Sequence, residues 1–267
     1  MNSAHQISAY PTTGQEILPW RDLYRQEMDC QIIHDSLHRR DGWTQPYRLR
    51  IAEVVVGYGA LAIGGPWQGT PALFEFYVVP PHRDRSFDLF TALLAAARPA
   101  TIETQSNDPF LTPMLHSFAE SVVTESILFQ DQRTTAHSSH GAEFRRATPQ
   151  DAGRRFAHQA EPPGDWVLTV EGKIAATGGL LFHYNRPYGD IFMEVAEPFR
   201  RRGFGTYLVQ ELKRVCYDQG SRPAARCNPA NVASRRTLQK AGLVPCGCIL
   251  KGAVPHPNAT ERARDAR

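Results

Sequence analysis

The sequence predicts an α/β protein in which one unit, a mixed and strongly twisted sheet flanked by helices, occurs twice. Three observations carry this reading. Strand-like runs alternate with helix-like runs along the chain. Val78-Val79-Pro80-Pro81-His82-Arg83 lines up with Val195-Ala196-Glu197-Pro198-Phe199-Arg200 at a constant offset of 117. Arg98-Pro99-Ala100 lines up with Arg222-Pro223-Ala224, and Asn107 with Asn231, at an offset of 124.

In chain order, residues 18–40 predict a long helical stretch. Residues 48–56 and 58–63 predict strands, with Gly57 and Gly59 breaking the second and Gly64-Gly65-Pro66 ending it. Residues 73–79 predict the strand before a loop, and residues 87–97 the crossover helix. The polar stretch 131–141 predicts a linker. Residues 166–170 predict a strand; between Asp151 and that strand there is room for one short helix, ended by Glu161-Pro162-Pro163-Gly164. Residues 190–195 predict a strand that runs through Arg200-Arg201-Arg202-Gly203-Phe204-Gly205 into a helix. Arg226-Cys227 closes a short strand, Asn231 caps a short helix, and Gly242 stops it. Cys246-Gly247-Cys248 falls in a late strand.

Composition limits the class. At 267 residues, 42% apolar and 21% charged, the chain is an ordinary globular protein long enough for two modest cores. It has no apolar run of the roughly 20 residues a membrane helix needs, and its polar start is unlike a signal peptide. The expectation is a cytoplasmic protein with neither membrane nor nucleic acid as partner. The five cysteines (Cys30, Cys216, Cys227, Cys246, Cys248) form no CxxC pair and leave one over, so no disulfide framework is expected. His34 and His38 stand at i and i+4, but the segment lacks the Glu and the third ligand of a zinc-protease motif, and it predicts a solvated helix face without metal. Charge is asymmetric. Residues 141–267 hold 20 basic against 12 acidic side chains, and residues 1–140 hold 10 against 15. A basic half suits a polyanionic ligand; an acidic half suits a cationic one or is plain surface.

The chemistry concentrates at residues 190–205. Gly203 and Gly205 sit where a strand gives way to a helix, so nothing shields the backbone N–H groups there. Unpaired amides and the helix dipole favour an anion such as a pyrophosphate. Arg200, Arg201 and Arg202 add fixed positive charge beside it.

Together with Asn231, Ser234, Gly242 and Leu243, these residues resemble the acetyl-CoA site of the GNAT superfamily of N-acetyltransferases. That family carries an R/Q-x-x-G-x-G/A loop, then N-x-x-(A/S) and a later G-F/L. The segment Phe144-Arg145-Arg146-Ala147-Thr148-Pro149-Gln150-Asp151 is similar to the family's first strand and helix cap, so the resemblance covers roughly residues 142–252. It implies two tandem GNAT folds, similar to enzymes of the mycothiol synthase type. Residues 1–135 would be a degenerate copy without a cofactor site, 136–141 the linker, 142–252 the catalytic domain, and 253–267 a disordered tail. In the first copy Ser86 replaces Gly203 and Asp88 replaces Gly205, which puts a repelling carboxylate at the pyrophosphate seat. Pro113 falls inside the helix expected after Asn107. Full GNAT domains have two helices after the first strand, walling the acceptor site; with room for one here, the first domain is the expected supplier of the missing wall.

The resemblance implies acetyl-CoA as cosubstrate. Its pantetheine arm would pair with the backbone at Met193 and Val195. Its pyrophosphate would meet Arg200, Arg201, Arg202, Gly203, Phe204, Gly205 and Thr206, with Asn228, Asn231, Ser234 and Arg235 beyond. A carboxylate would serve as general base. Glu194 is the first candidate and Asp190 the second; four apart, they face one side of an unbulged strand, and a bulge would break that parity. Leu238 stands where many members have a tyrosine acid, which leaves Tyr184, Tyr188 or Ser234, or an unaided thiol of pKa about 8.5. The expected acceptor is a primary amine of a small, cationic molecule, or a peptide N-terminus. The rival readings are a non-catalytic acyl-CoA-binding regulatory module and transfer of another acyl group or onto a thiol or alcohol. A monomer and a homodimer both fit.

Overall fold

The computed structural model describes residues 6–28, 31, 35–139, 141–183 and 185–255. It divides into two compact units, residues 1–125 with 248–267, and residues 126–247. The division falls inside two strands, β6 (Glu120–Asp131) and β12 (Leu243–Ala253), whereas the resemblance implies domains at 1–135 and 142–252.

Unit 1 contains β1 (Ile7–Pro11), α1 (Gly14–Glu27), α2 (Asp35–His38), β2 (Thr44–Ile51), β3 (Val54–Ala62), β4 (Ala72–Val78), α3 (Ser86–Ala97), β5 (Thr101–Gln105) and α4 (Leu111–Phe118). Its strands follow the order β1-β2-β3-β4-β5, and residues 249–253 of β12 then pair antiparallel with β5. The strand break expected at Gly57 lies earlier, at Ala52, whose φ of 50° makes the turn. Gly57 and Gly59 sit inside β3 because the neighbours leave no room for a Cβ. At Gly57 one would lie 2.1 Å from the Tyr77 carbonyl oxygen, and at Gly59 2.4 Å from Leu93. The helical stretch expected at 18–40 begins at Gly14 under a Thr13–Glu16 capping box and ends at Glu27. The segment with His38 is not a solvated face: Arg21 joins the buried carboxylates of Asp35 (2.7 Å) and Glu75 (2.8 Å), and His38 Nε2 lies 3.1 Å from Glu75. Cys30, His34 and the expected tail from residue 256 onward lie outside the described residues.

Unit 2 contains the end of β6, then β7 (Ala142–Arg146), β8 (Trp166–Val170), β9 (Lys173–Leu181), β10 (Tyr188–Val195), α5 (Phe204–Asp218), β11 (Arg222–Cys227), α6 (Val232–Lys240) and the start of β12. Its strand order is β6-β11-β10-β9-β8-β7. Each unit's central strand pair is therefore flanked by a strand from the other half of the repeat, with β6 against β11 and β12 against β5. Helix α5 buries Phe204, Leu208, Val209, Leu212 and Cys216 on one face, the 3.6-residue pattern of a helix laid on a sheet. The polar stretch expected to link two domains is strapped to that helix. Gln210 accepts from the His137 amide (2.7 Å) and the Thr135 hydroxyl (2.9 Å), and the Lys213 ammonium lies 2.6 Å from Asp131.

Candidate active site

The site begins with a gap in the sheet. β10 pairs in parallel with β11 only from Tyr188 to Asp190, yet runs on to Val195. On its other side it stays in unbroken antiparallel register with β9 from Asp190 to Val195. β11 meanwhile pairs with β6 over residues 224–227. Beyond Asp190 the two parallel strands part, and among the described residues no strand pairs with the β11-facing backbone of residues 191–195. A strand edge of this kind can accept an extended, amide-bearing chain.

Helix α5 starts beside the open end of that gap. Arg201 (φ 63°) and Gly203 (φ 86°) take left-handed conformations and turn the loop into the first turn of α5, whose leading amides have no acceptor within the helix. A residue with a Cβ at 203 would be strained. Gly205 serves close packing: a Cβ there would meet Met193 and Val195 at 3.2 Å and Thr237 at 3.3 Å. Arg200 Nε donates to the Val195 carbonyl (3.1 Å), tying the loop to the end of β10. The Arg202 guanidinium rests on Phe204 (5.1 Å) and Phe199 (5.6 Å). Phe204 and Thr206 are buried, Phe204 in the core. On the far side, Asn231 caps α6 by accepting from the Ser234 amide (3.0 Å), and Asn228 accepts from the Ala230 amide (2.8 Å). Arg235 follows on the first turn of α6, half-buried.

The unbulged register places Asp190 and Glu194 on one face of the sheet. The opposite face carries α5, since a Cβ at Gly178 would point at Leu212. On the carboxylate face, a segment between β7 and β8 folds over Glu194. The helix expected there shrinks to a 3-10 turn at Pro149–Arg154, capped by Thr148 and Asp151, and Arg145 grips Asp151 at 2.7 Å. The chain then crosses the sheet face without helical structure. His158 Nε2 lies 2.6 Å from the Thr177 hydroxyl, and Thr177 is the cross-strand neighbour of Glu194. Gln159, Ala160 and Glu161 aim three successive amides at the Glu194 carboxylate, at 3.0, 3.1 and 3.2 Å.

This nest changes the chemistry of Glu194. Burial alone would raise its carboxyl, but the three amides and the nearby His158 outweigh it and hold the group below the usual carboxylate range. A stabilised anion is a weak base, so Glu194 holds the segment in place. Asp190, at the last β10–β11 pair, is buried, with Arg226 Nε and His183 Nε2 each 3.4 Å away. Of the expected acid candidates, Tyr184 lies outside the described residues and Tyr188 is buried at the closed end of the strand pair. Leu238 is core. The sequence reading missed the amides of 159–161, His158, Glu161 and Arg226; Pro162-Pro163 marked only where a helix could not run. Among the described residues no group of His, Cys, Asp and Glu side chains could hold a metal ion.

The site thus combines a parallel strand pair that separates with a helix that starts at a glycine, within a mixed sheet. Residues 128–243 match the Acetyltransferase (GNAT) family model. Solved structures share the fold over nearly the whole chain. An acetyltransferase from the GNAT family of Colwellia psychrerythraea has a TM-score of 0.73 and 14% identity, covering 94% of this chain and 100% of its own. A tandem GNAT protein from the clavulanic acid biosynthesis pathway has a TM-score of 0.62 and 13% identity, covering 94% and 99%. A GCN5-related N-acetyltransferase from Sphaerobacter thermophilus has a TM-score of 0.53 and 13% identity, covering 93% and 96%. No curated protein sequence matches the chain. No described helix is long and apolar enough to cross a membrane.

Proposed function

We propose that unit 2 binds acetyl-CoA and transfers its acetyl group directly to a primary amine of a small molecule, and that unit 1 binds no cofactor. The observation that carries this is the divergence of β10 from β11 beside the start of α5. The open backbone of residues 191–195 offers amides and carbonyls to the pantetheine arm as a strand would. The amides of residues 203–206, with Arg200, Arg201 and Arg202, offer a seat for the pyrophosphate. Met193 and Val195 would flank the thioester, and Asn228, Asn231, Ser234 and Arg235 the far wall of the groove.

The geometry favours turnover over a purely binding role. Binding the nucleotide would not need a carboxylate-lined face opposite α5, whereas transfer needs a place for an ammonium to arrive and lose its proton. Leu238 has no proton to give, and the coenzyme thiol, of pKa about 8.5, is a competent leaving group without one. Cys216, Cys227 and Cys248 are free thiols, which suits a reducing, cytoplasmic setting.

Calorimetric titration with acetyl-CoA tests the reading. One site per chain is expected in the native protein, and none in Gly205→Asp, whose side chain would collide with Met193 and Val195 and repel the pyrophosphate. Two sites would mean that unit 1 also binds. No site in the native protein would end the proposal.

A further inference from the structure

Acetyl transfer to an amine needs a carboxylate free to take a proton, and both carboxylates of β10 are engaged. Glu194 is held by three amides, and Asp190 is buried between Arg226 and His183. A third carboxylate stands beside them on the segment that crosses the sheet face. Glu161 gives its backbone amide to Glu194 (3.2 Å), which fixes its Cα over β10. Two residues pin the same segment: Ala147 N donates to the Asp165 carbonyl (2.7 Å), and the backbone at Gly164 lies so close to Gly178 that a Cβ there would fall 1.8 Å from the Gly178 carbonyl oxygen. Gly178 pairs with Met193. The segment is therefore anchored at the strand positions proposed to hold the thioester.

Resting on the acetyl-transfer reading, we propose that Glu161 is the catalytic residue that receives the proton of the acceptor amine, with Glu194 as the positioning residue that holds it there. Among the described residues no hydrogen bond or ion pair engages the Glu161 side chain, and the residue is open to solvent, where an acceptor can reach it. The groups facing it are Asp190 and Glu194 from β10 and Arg226 from β11. Partial desolvation by the packed segment, then the charge of Asp190, push its carboxyl above the usual carboxylate range, against the pull of Arg226. A carboxylate moved toward neutral pH is a stronger base than Glu194, which is moved away from it. The same three negative charges attract a cationic acceptor.

The proton balance is simple. The acceptor arrives as an ammonium and gives one proton to the Glu161 carboxylate. The free amine attacks the thioester carbonyl, the C–S bond breaks, and coenzyme A leaves as thiolate with the bonding pair. The second nitrogen-bound proton goes to water or to that thiolate as the amide forms.

The test combines acetyl-CoA calorimetry with thiol release in the presence of n-butylamine and 1,4-diaminobutane as acceptors. Glu161→Gln should keep the acetyl-CoA Kd within about twofold and lower kcat by about 100-fold or more. Its log kcat/KM profile should lack the acidic limb expected of the native protein, and Glu161→Asp should restore part of kcat. Glu194→Gln should raise KM more than it lowers kcat, by loosening the segment. Full activity in Glu161→Gln, or a kcat loss confined to Glu194→Gln, would overturn the assignment. So would a native protein that binds acetyl-CoA and leaves both amines untouched. A native protein that fails to bind acetyl-CoA would instead overturn the parent reading.

Discussion

The two copies of the unit keep the same frame and fill it differently. In unit 2, Arg200 Nε donates to the carbonyl five residues back, at Val195 (3.1 Å); in unit 1, Arg83 Nε donates to Val78 (2.9 Å), the equivalent pair at the offset of 117. In both, a parallel strand pair runs together briefly and then parts. β4 pairs with β5 only at Ala72 and Leu73, much as β10 pairs with β11 only up to Asp190. Beyond the parting, every β4 residue is buried, whereas β10 from Phe192 onward is partly exposed. The difference is a plug. Phe110, just before α4, packs edge-on against Tyr77 (5.4 Å), and the Arg83 guanidinium covers it at 4.4 Å. At the helix start, Asp88 pairs with Arg85 (2.9 Å), and Ser86 donates to the Arg83 carbonyl (2.8 Å). The lesson is that a groove made by diverging strands must be filled, by a ligand or by side chains. Unit 1 fills it with aromatics and a buried charge network.

That contrast can be broken at three points. The largest effect is expected at Arg21, which compensates Glu75 and Asp35. Arg21→Met removes the buried guanidinium that both carboxylates share, leaving Asp35 to Arg25 and Glu75 to His38 and Tyr58, and should cost about 3–5 kcal/mol in chemical denaturation. Phe192→Leu, at the position in unit 2 that aligns with Glu75, should cost about 1 kcal/mol. Equal losses would mean that the network in unit 1 is not what distinguishes it. The network also sets an acid sensitivity. Burial would raise the Glu75 carboxyl, but Arg21 and His38 outweigh it and hold the group well below its ordinary range. A carboxyl depressed on folding stabilises above its unfolded pKa, so this contribution should be intact above about pH 5 and fade as pH falls below about 4. A denaturation midpoint flat between pH 5 and 3 would contradict it.

Removing the plug comes next. Phe110→Ser should cost about 2–3 kcal/mol through lost aromatic burial and still leave one acetyl-CoA site, because Ser86 and Asp88 remain. A second calorimetric site in this variant would make Phe110 the sole block. The smallest effect separates the two helix caps. Asp108 is buried, accepts from the Phe110 and Leu111 amides (2.7 and 3.1 Å) and takes the Tyr24 hydroxyl at 2.6 Å. Asn231 caps α6 at the surface. Asp108→Ala should cost about 2 kcal/mol and Asn231→Ala about 1; the reverse order would show that burial of the cap does not matter.

Much of the frame was legible because it is local. The glycine-started helix α5, the Asn231 cap and the strand before them follow from short-range rules, and the 117-residue offset exposed the repeat. The offset of 124 was less reliable. It pointed to Asn107, but the residue that caps α4 is Asp108, and α4 starts at Leu111, so Pro113 falls in its first turn, where a missing N–H costs little. Gly57 and Gly59 read as breakers because glycine weakens an isolated strand. Their true constraint is the backbone of β4 and the Leu93 side chain, which lie far along the chain.

By itself the sequence determined the α/β class, the placement of Ser86 and Asp88 where the second unit has Gly203 and Gly205, and the glycine-started helix after β10, since each is written in short runs of residues. Tertiary structure alone decided the rest. It placed β6 beside β11 and β12 beside β5, it strapped the supposed linker to α5, and it gave Glu194 to the amides of a segment more than thirty residues away. Pairing and burial are set by which distant groups arrive at a surface first and fit it best. Whether a carboxylate becomes a base or an anchor depends on those neighbours, which no local pattern records.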